Sequence, residues 1–252
     1  MMLTGRHALV TGGGTGIGLA IARALAAEGA QVTITGRRLP VLQDAAATAP
    51  GLHAQQMDVA DEGSVTAGIA AAIAARGPVT ICVPNAGIAE GRALHKMDMA
   101  FWREMMAINL DGAFLTLREC LPGMRAAGWG RIIAVASVAG LRGLKGAPAY
   151  TASKHGLVGL VRGLSEDLAG SGITCNALCP AYVETEIVTR NAAHISQRAG
   201  ISQDQAMQIM LSANRHGRLV TVDEVAAAAL WLCRPGSDSI NGQAIEIAGG
   251  QA

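Results

Sequence analysis

Three side chains in the middle of the chain are spaced for proton chemistry. Tyr150 and Lys154, in Tyr150-Thr151-Ala152-Ser153-Lys154, lie one helical turn apart and share a face of a helix that Pro148 favours starting. A tyrosine phenol titrates near about 10 in water, too high for proton exchange at neutral pH. A lysine ammonium on the same face is expected to stabilise the phenolate and bring that pKa towards the working range. Upstream, Ser137 ends an apolar run, where its hydroxyl could hold a carbonyl oxygen beside Tyr150.

A second cluster stands near the N-terminus. Thr11-Gly12-Gly13-Gly14-Thr15-Gly16-Ile17-Gly18 follows an apolar run and precedes a helical stretch. Glycines there permit positive φ and let a pyrophosphate approach the backbone, while the new helix offers unpaired N–H groups and its positive dipole end. The implied ligand is a dinucleotide. The spacing of Gly12, Gly16 and Gly18 departs from the general G-x-G-x-x-G fingerprint, and alone the loop also reads as a tight strand-to-helix turn.

The elements that must position these groups alternate along the chain. Strands are expected at 7–10, 31–35, 52–57, 79–83, 131–136, 174–178 and 243–247. Helices are expected at 17–28, 40–48, 62–76, 101–127, 149–169 and 222–233. Such alternation means a parallel sheet covered on both faces, an α/β fold in one domain spanning 1–252. Residues 182–217 break the rhythm with helical character and no strand, and are expected to form a lid.

In this order the motifs resemble those of the short-chain dehydrogenase/reductase family over essentially the whole chain. They are Thr11-Gly12-x-x-x-Gly16-x-Gly18, Asp58-Val59, Asn85-Ala86-Gly87, Asn109, Ser137 and Tyr150-x-x-x-Lys154. A lone Tyr-x-x-x-Lys is a common surface pair, but six motifs in register are specific. The resemblance implies a doubly wound, seven-stranded Rossmann domain, a nicotinamide cofactor and the catalytic set Asn109, Ser137, Tyr150 and Lys154. It further implies cofactor contacts from Gly12, Thr15, Gly16, Ile17, Gly18, Asp58, Val59, Asn85, Gly87, Tyr150, Lys154, Pro180, Val183 and Thr185. In the family the asparagine supports a water of the proton relay, and the long helices pair into a homotetramer, with a dimer as the fallback here. A catalytically silent dinucleotide sensor on the same fold is the alternative from another class. Two positions depart from the family pattern: Pro84 precedes Asn85, and Ala181 replaces a glycine after Pro180. If that glycine normally takes positive φ, Ala181 costs about 1 kcal/mol or shifts the loop.

Composition narrows the partners. Lys and Arg number 20 against 19 Asp and Glu, which leaves no basic field for nucleic acid or an anionic membrane. Charged residues make up 15%, below the roughly 25% of a typical domain, so a homo-oligomer is expected. The five cysteines lack metal-ligand spacing and read as buried thiols in a reducing cytoplasm, with no metal site. The longest apolar run, 225–233, is far shorter than the roughly 20 residues of a membrane span, and no secretory pattern opens the chain. A soluble cytoplasmic protein is expected.

Cofactor choice rests on the end of the second strand. An NAD site places a carboxylate there; here Gly36-Arg37-Arg38 stands instead. Gly36 leaves room for a 2′-phosphate, and Arg37 and Arg38 can bind it with charge-assisted hydrogen bonds, so NADP(H) is favoured and NAD(H) kept as possible. For the substrate, 200–211 and 221–226 resemble the 3-hydroxybutyrate dehydrogenase branch. Ala89, Ala139 and Ala147 stand where that branch grips a free carboxylate, so a small acid is disfavoured. Ile187, Val188, Ile195, Met207, Ile209, Met210 and Leu211 suit an acyl chain or a ring. A 3-oxoacyl thioester is preferred over a cyclic or steroid-like alcohol. Arg142 and Lys145 either face solvent, the more ordinary case, or reach an anionic part of a substrate.

Overall fold

The computed structural model describes residues 1–250, excluding the side chains of Ile187, Ile195, Arg198 and Ala199. The sheet comprises β1 (His7–Thr11), β2 (Gln31–Gly36), β3 (Leu52–Gln56), β4 (Val79–Val83), β5 (Gly130–Val135), β6 (Ile173–Pro180) and β7 (Ala244–Ile247). Their order is β3-β2-β1-β4-β5-β6-β7, and every pairing is parallel. The order reverses between β1 and β4, so the loops leaving these strands diverge and open a crevice at their carboxyl ends.

Side-chain alternation divides the core between two faces. Ala8 and Val10 of β1 pack with α1 (Gly16–Ala27), α2 (Leu39–Ala46) and α9 (Val222–Trp231) on one face. Leu9 and the cysteines of β6 pack with α3 (Glu62–Arg76), α5 (Gly112–Ala127) and α6 (Pro148–Asp167) on the other. All five cysteines are buried and free, as expected, and burial pushes Cys175 and Cys233 up to about 12, so they stay protonated apolar filler. Among the described residues no helix is long and apolar enough to cross a membrane, and no cluster could hold a metal ion.

The long helix expected at 101–127 is interrupted. α4 (Met99–Met106), capped by Asp98, runs into a π-helical turn, Ala107–Asp111, before α5 begins. A Cβ on Gly112 would lie 2.8 Å from Cβ of Val59, so the helix presses its backbone onto the loop that follows β3 at this point. Asn109 sits in the turn, buried. Such turns displace one residue from the regular ladder, and apolar periodicity does not report them.

The excursion after β6 consists of α7 (Glu186–Ala199) and α8 (Gln203–Ala213), closed by a bridge between Val183 and Val220. Ser202 and Gln205 form a capping box at the start of α8. Val188, Ala192, Ala206 and Met210 make a small core between the two helices. Val188 and Met210, expected to face a substrate, are thus used in holding the excursion together. Ile209 is 55% exposed, while Ile187 and Ile195 lie outside the described side chains. Ala181 keeps a negative φ, so the anticipated strain is absent.

Candidate active site

The glycine loop is built as a cradle. Gly12 and Gly16 adopt φ of 63° and 53°, the left-handed region that a Cβ penalises. Thr15 caps α1 without a side-chain hydrogen bond, which leaves the first-turn N–H groups facing the crevice. Gly18 serves differently: a Cβ there would lie 2.4 Å from the Gly12 carbonyl oxygen, so this glycine lets helix and loop close on each other.

Thr11 and Asn85 join the two loops of the crevice. The Thr11 hydroxyl accepts from the backbone N–H groups of Asn85 and Ala86, both at 2.9 Å. The Asn85 amide donates back to the carbonyls of Thr11 (2.8 Å) and Gly12 (3.3 Å). Asn85 therefore acts as a clamp on the loop. Thr11 was legible only as the residue before the first glycine; its hydroxyl finds its partners through the β1–β4 neighbourhood.

Between these loops and the end of β2 lies a cavity of about 230 Å³, lined by Gly12, Thr15, Gly36, Arg37, Arg38, Asp58, Val59 and Gly87 among others. Asp58 is fixed by its own turn, its carboxylate accepting from Ala60 N–H at 3.0 Å. Gly36 lines the cavity without a side chain, and a Cβ there would make only ordinary contact with Leu42, at 3.6 Å. Arg37 and Arg38 are exposed and, among the described residues, make no salt bridge. Thr185 approaches Gly16 from the start of α7, and Val183 is buried beneath it, whereas Pro180 ends β6. Glycines that admit a phosphate, an uncapped helix terminus and free cations fit a dinucleotide. Gly12, Gly16, Thr15, Arg37, Arg38, Asp58 and Val59 are the residues that would hold it.

The proton-transfer groups meet at the same edge. Ser137 follows β5, and its oxygen accepts from the N–H of Ala139 at 3.1 Å. Tyr150, half-buried on the first turn of α6, hydrogen-bonds with Ser137. Lys154 is 4% exposed, donates from Nζ to the Val135 carbonyl at 2.9 Å and lies 5.9 Å from the Tyr150 ring centre. Burial holds its pKa down to about 8.

One expectation is corrected. Lys154 does not draw the Tyr150 phenol down towards neutrality here. Burial, the largest influence, pushes the phenol above its ordinary value; the hydrogen bond with Ser137 opposes this, and Tyr182 and Cys179 add to the rise. The lysine ammonium is directed at a backbone carbonyl, so the phenol stays protonated at neutral pH.

Asn109 braces this arrangement. Its Oδ1 accepts from Ile88 N–H at 2.8 Å, and its amide donates to Ile88 O at 3.0 Å and Ser153 Oγ at 3.1 Å. Ser153 in turn donates to the Tyr150 carbonyl at 2.8 Å. The β4 loop, the π turn and α6 are thereby locked together. A Cβ on Gly87 would lie 3.1 Å from Asn109 Oδ1 and 3.6 Å from Lys154 Nζ, which gives that glycine its reason. Ser153 was not singled out in the sequence; its place within Tyr150-x-x-Ser153-Lys154 was the available signal. His95, His155, His194 and His216 are exposed, as ordinary surface residues.

Known proteins share this arrangement. Residues 6–196 match the family model described as short chain dehydrogenase. The chain is 37% identical to D-beta-hydroxybutyrate dehydrogenase of Cupriavidus necator, over 99% of this chain and 98% of the relative. It is 36% identical to acetoacetyl-CoA reductase of Rhizobium meliloti, over 98% of each. A solved actinorhodin polyketide ketoreductase with NADPH superposes with a TM-score of 0.94 at 34% identity, covering 99% of this chain and 98% of that one. The chain belongs to the short-chain dehydrogenase family and is an oxidoreductase that interconverts a secondary alcohol and a ketone with a nicotinamide dinucleotide.

Proposed function

We propose that this chain is an NADP(H)-preferring reductase of 3-oxoacyl compounds, with a thioester as the favoured form. The carrying observation is the meeting of Ser137, Tyr150 and Lys154 beside Gly87, which lines a cavity that also holds Gly36, Arg37 and Arg38, two arginines without a salt bridge among the described residues. Two relatives are named for a four-carbon acyl group oxygenated at the β carbon, and a solved neighbour is a ketoreductase with NADPH. These support the reading.

A nicotinamide dinucleotide held by Gly12, Thr15, Arg37, Arg38 and Asp58 would supply or accept the hydride. Ser137 positions the carbonyl oxygen, and Tyr150 gives it a proton or takes one from the alcohol. A phenol held protonated is in the state that donates to the carbonyl oxygen during reduction. Lys154 would hold the nicotinamide ribose and supply positive charge there, and Asn109 would support the water that returns the proton. Residues 182–217 act as the lid, with α7 and α8 moving on their own small core.

The test follows reduced-nicotinamide absorbance with 3-oxoacyl thioesters and cyclic ketones. NADPH is expected to support turnover of the thioesters better than NADH does. Arg37→Ala should raise the KM for NADPH roughly 10- to 100-fold, the worth of a charged hydrogen bond, and leave that for NADH nearly unchanged. Equal use of both cofactors by the wild type, or equal loss of both in the variant, overturns this assignment.

Assembly is part of the proposal. Phe114 on α5 is 47% exposed, and on the outer face of α6 Gly159 and Gly163 are exposed, with nothing near where a Cβ would stand. Such flat faces suit pairing of α5 and α6 with their copies into a homotetramer. Light scattering at micromolar concentration should give the tetramer mass; a monomer refutes it.

A further inference from the structure

The loop carrying Ser137 also carries a cation that the mechanism above does not use. The N–H of Arg142 donates to the Val138 carbonyl at 3.0 Å, and Leu144 N–H donates to Thr151 Oγ1 at 3.2 Å. The loop is therefore tied at one end to the Ser137 turn and at the other to the helix of Tyr150. Arg142 is half-buried between them, and its Nε is fully shielded with no hydrogen-bond partner. Among the described residues it forms no ion pair. The other arginine with a shielded, unpartnered Nε, Arg131, has its charge matched by Asp238 at 2.5 Å. Arg142 has no such match.

Its surroundings point into the active site. Tyr182, two residues beyond Pro180, is held by Asn214, whose Oδ1 accepts from Tyr182 N–H at 3.1 Å and whose amide donates to the Tyr182 carbonyl at 2.9 Å. The positive charge of Arg142 acts on the Tyr182 phenol, and Tyr182 in turn acts on Tyr150. Arg142 thus stands on the loop that joins the Ser137 turn to the first turn of the Tyr150 helix, beside the proton-transfer groups. A guanidinium that is partly desolvated and unpaired costs free energy until an anion meets it.

We infer that Arg142 is the specificity determinant for a substrate that carries an oxyanion beyond the reacting carbonyl. This rests on the 3-oxoacyl reading above and extends it. The guanidinium fork suits a carboxylate or phosphate equally, so the anion is either the carboxylate of a free 3-oxo acid or a phosphate on the carrier arm of a thioester. For the first source, Arg142 would supply the grip on the carboxylate that Ala89, Ala139 and Ala147 do not provide.

Four substrates separate the sources: acetoacetate, its neutral ethyl ester, acetoacetyl-CoA and the uncharged acetoacetyl thioester of N-acetylcysteamine. Arg142→Met and Arg142→Gln should lower kcat/KM roughly 10- to 100-fold, mainly through KM, for one charged member of a pair, and change its uncharged partner less than about threefold. Loss confined to acetoacetate identifies the carboxylate, and loss confined to the CoA thioester identifies the phosphate. Arg142→Lys should restore part of the loss, since it keeps the charge and gives up the fork. Equal loss for charged and uncharged partners, or no loss in variants that retain the wild-type melting temperature, overturns the inference. If the wild type reduces none of the four yet reduces other ketones, the 3-oxoacyl reading itself has failed.

Discussion

Replacing Tyr150 with phenylalanine is expected to lower kcat by roughly two to four orders of magnitude while leaving the fold and cofactor affinity intact, the span that one positioned proton-transfer group contributes. The ring packs against Phe101, Met105 and Ala149, and phenylalanine retains that packing. What is lost is the oxygen that hydrogen-bonds with Ser137. The wild type should show a matching pH dependence. Because burial raises the phenol above its ordinary value, reduction, which consumes its proton, proceeds at neutral pH. Oxidation needs the phenolate, so its rate should climb as pH rises into the alkaline range. Rate profiles in both directions, with circular dichroism of the variant, check this. Activity of the variant within tenfold of wild type would remove Tyr150 from the chemistry.

Lys154→Met should separate activity from stability. Turnover is expected to fall by orders of magnitude, yet the protein should become more resistant to unfolding at pH 7. Burial is the largest influence on this lysine and lowers it from 10.5 to about 8, so folding disfavours the charged form. Below pH 8 the lysine is protonated in both folded and unfolded chains, and the full penalty of burying the charge applies. Between about 8 and 10.5 the unfolded chain binds the extra proton, so wild-type stability rises with pH across that window. At pH 7 the methionine variant should gain on the order of 1 to 3 kcal/mol, after the lost hydrogen bond to Val135 is set against the relieved charge. The gain should shrink as pH passes through 8 to 10.5. Urea unfolding at several pH values measures it. A variant less stable than wild type at pH 7 would show that the ammonium is better satisfied than this geometry implies. The depressed lysine is a case of a site kept at the expense of stability for the sake of chemistry.

Much of the architecture was legible in the chain. Seven apolar runs separated by helical periodicity gave a parallel sheet, because a strand buried on both faces must be apolar throughout and must be joined to the next by a crossover. The glycine loop, Asp58-Val59, Asn85-Ala86-Gly87 and Ser137 follow the carboxyl ends of β1, β3, β4 and β5, and Ser137, Tyr150 and Lys154 lie together beside Gly87 of that edge. Glycine, serine, tyrosine and lysine at fixed spacing carry this information because each spacing is a local property of a turn or a helix face.

Other features were decided only when distant segments met. The π turn that buries Asn109 lies just ahead of Gly112, which presses on Val59, a contact between a helix and the loop after β3 that no periodicity records. Asn85 became a clamp and Gly18 a packing contact because β1 and β4 are neighbours in the sheet and not in the chain. The direction of the Tyr150 shift was likewise hidden. The pairing of residues 150 and 154 predicted a lysine that lowers the phenol, but the carbonyl at the end of β5 takes the ammonium and burial sets the sign. Arg142 could not be told from a solvated loop residue until the fold shielded its Nε and left its charge unmatched. Residue identity and spacing fixed which groups were available; desolvation and partner choice depend on what surrounds them in three dimensions, and those belong to the tertiary structure.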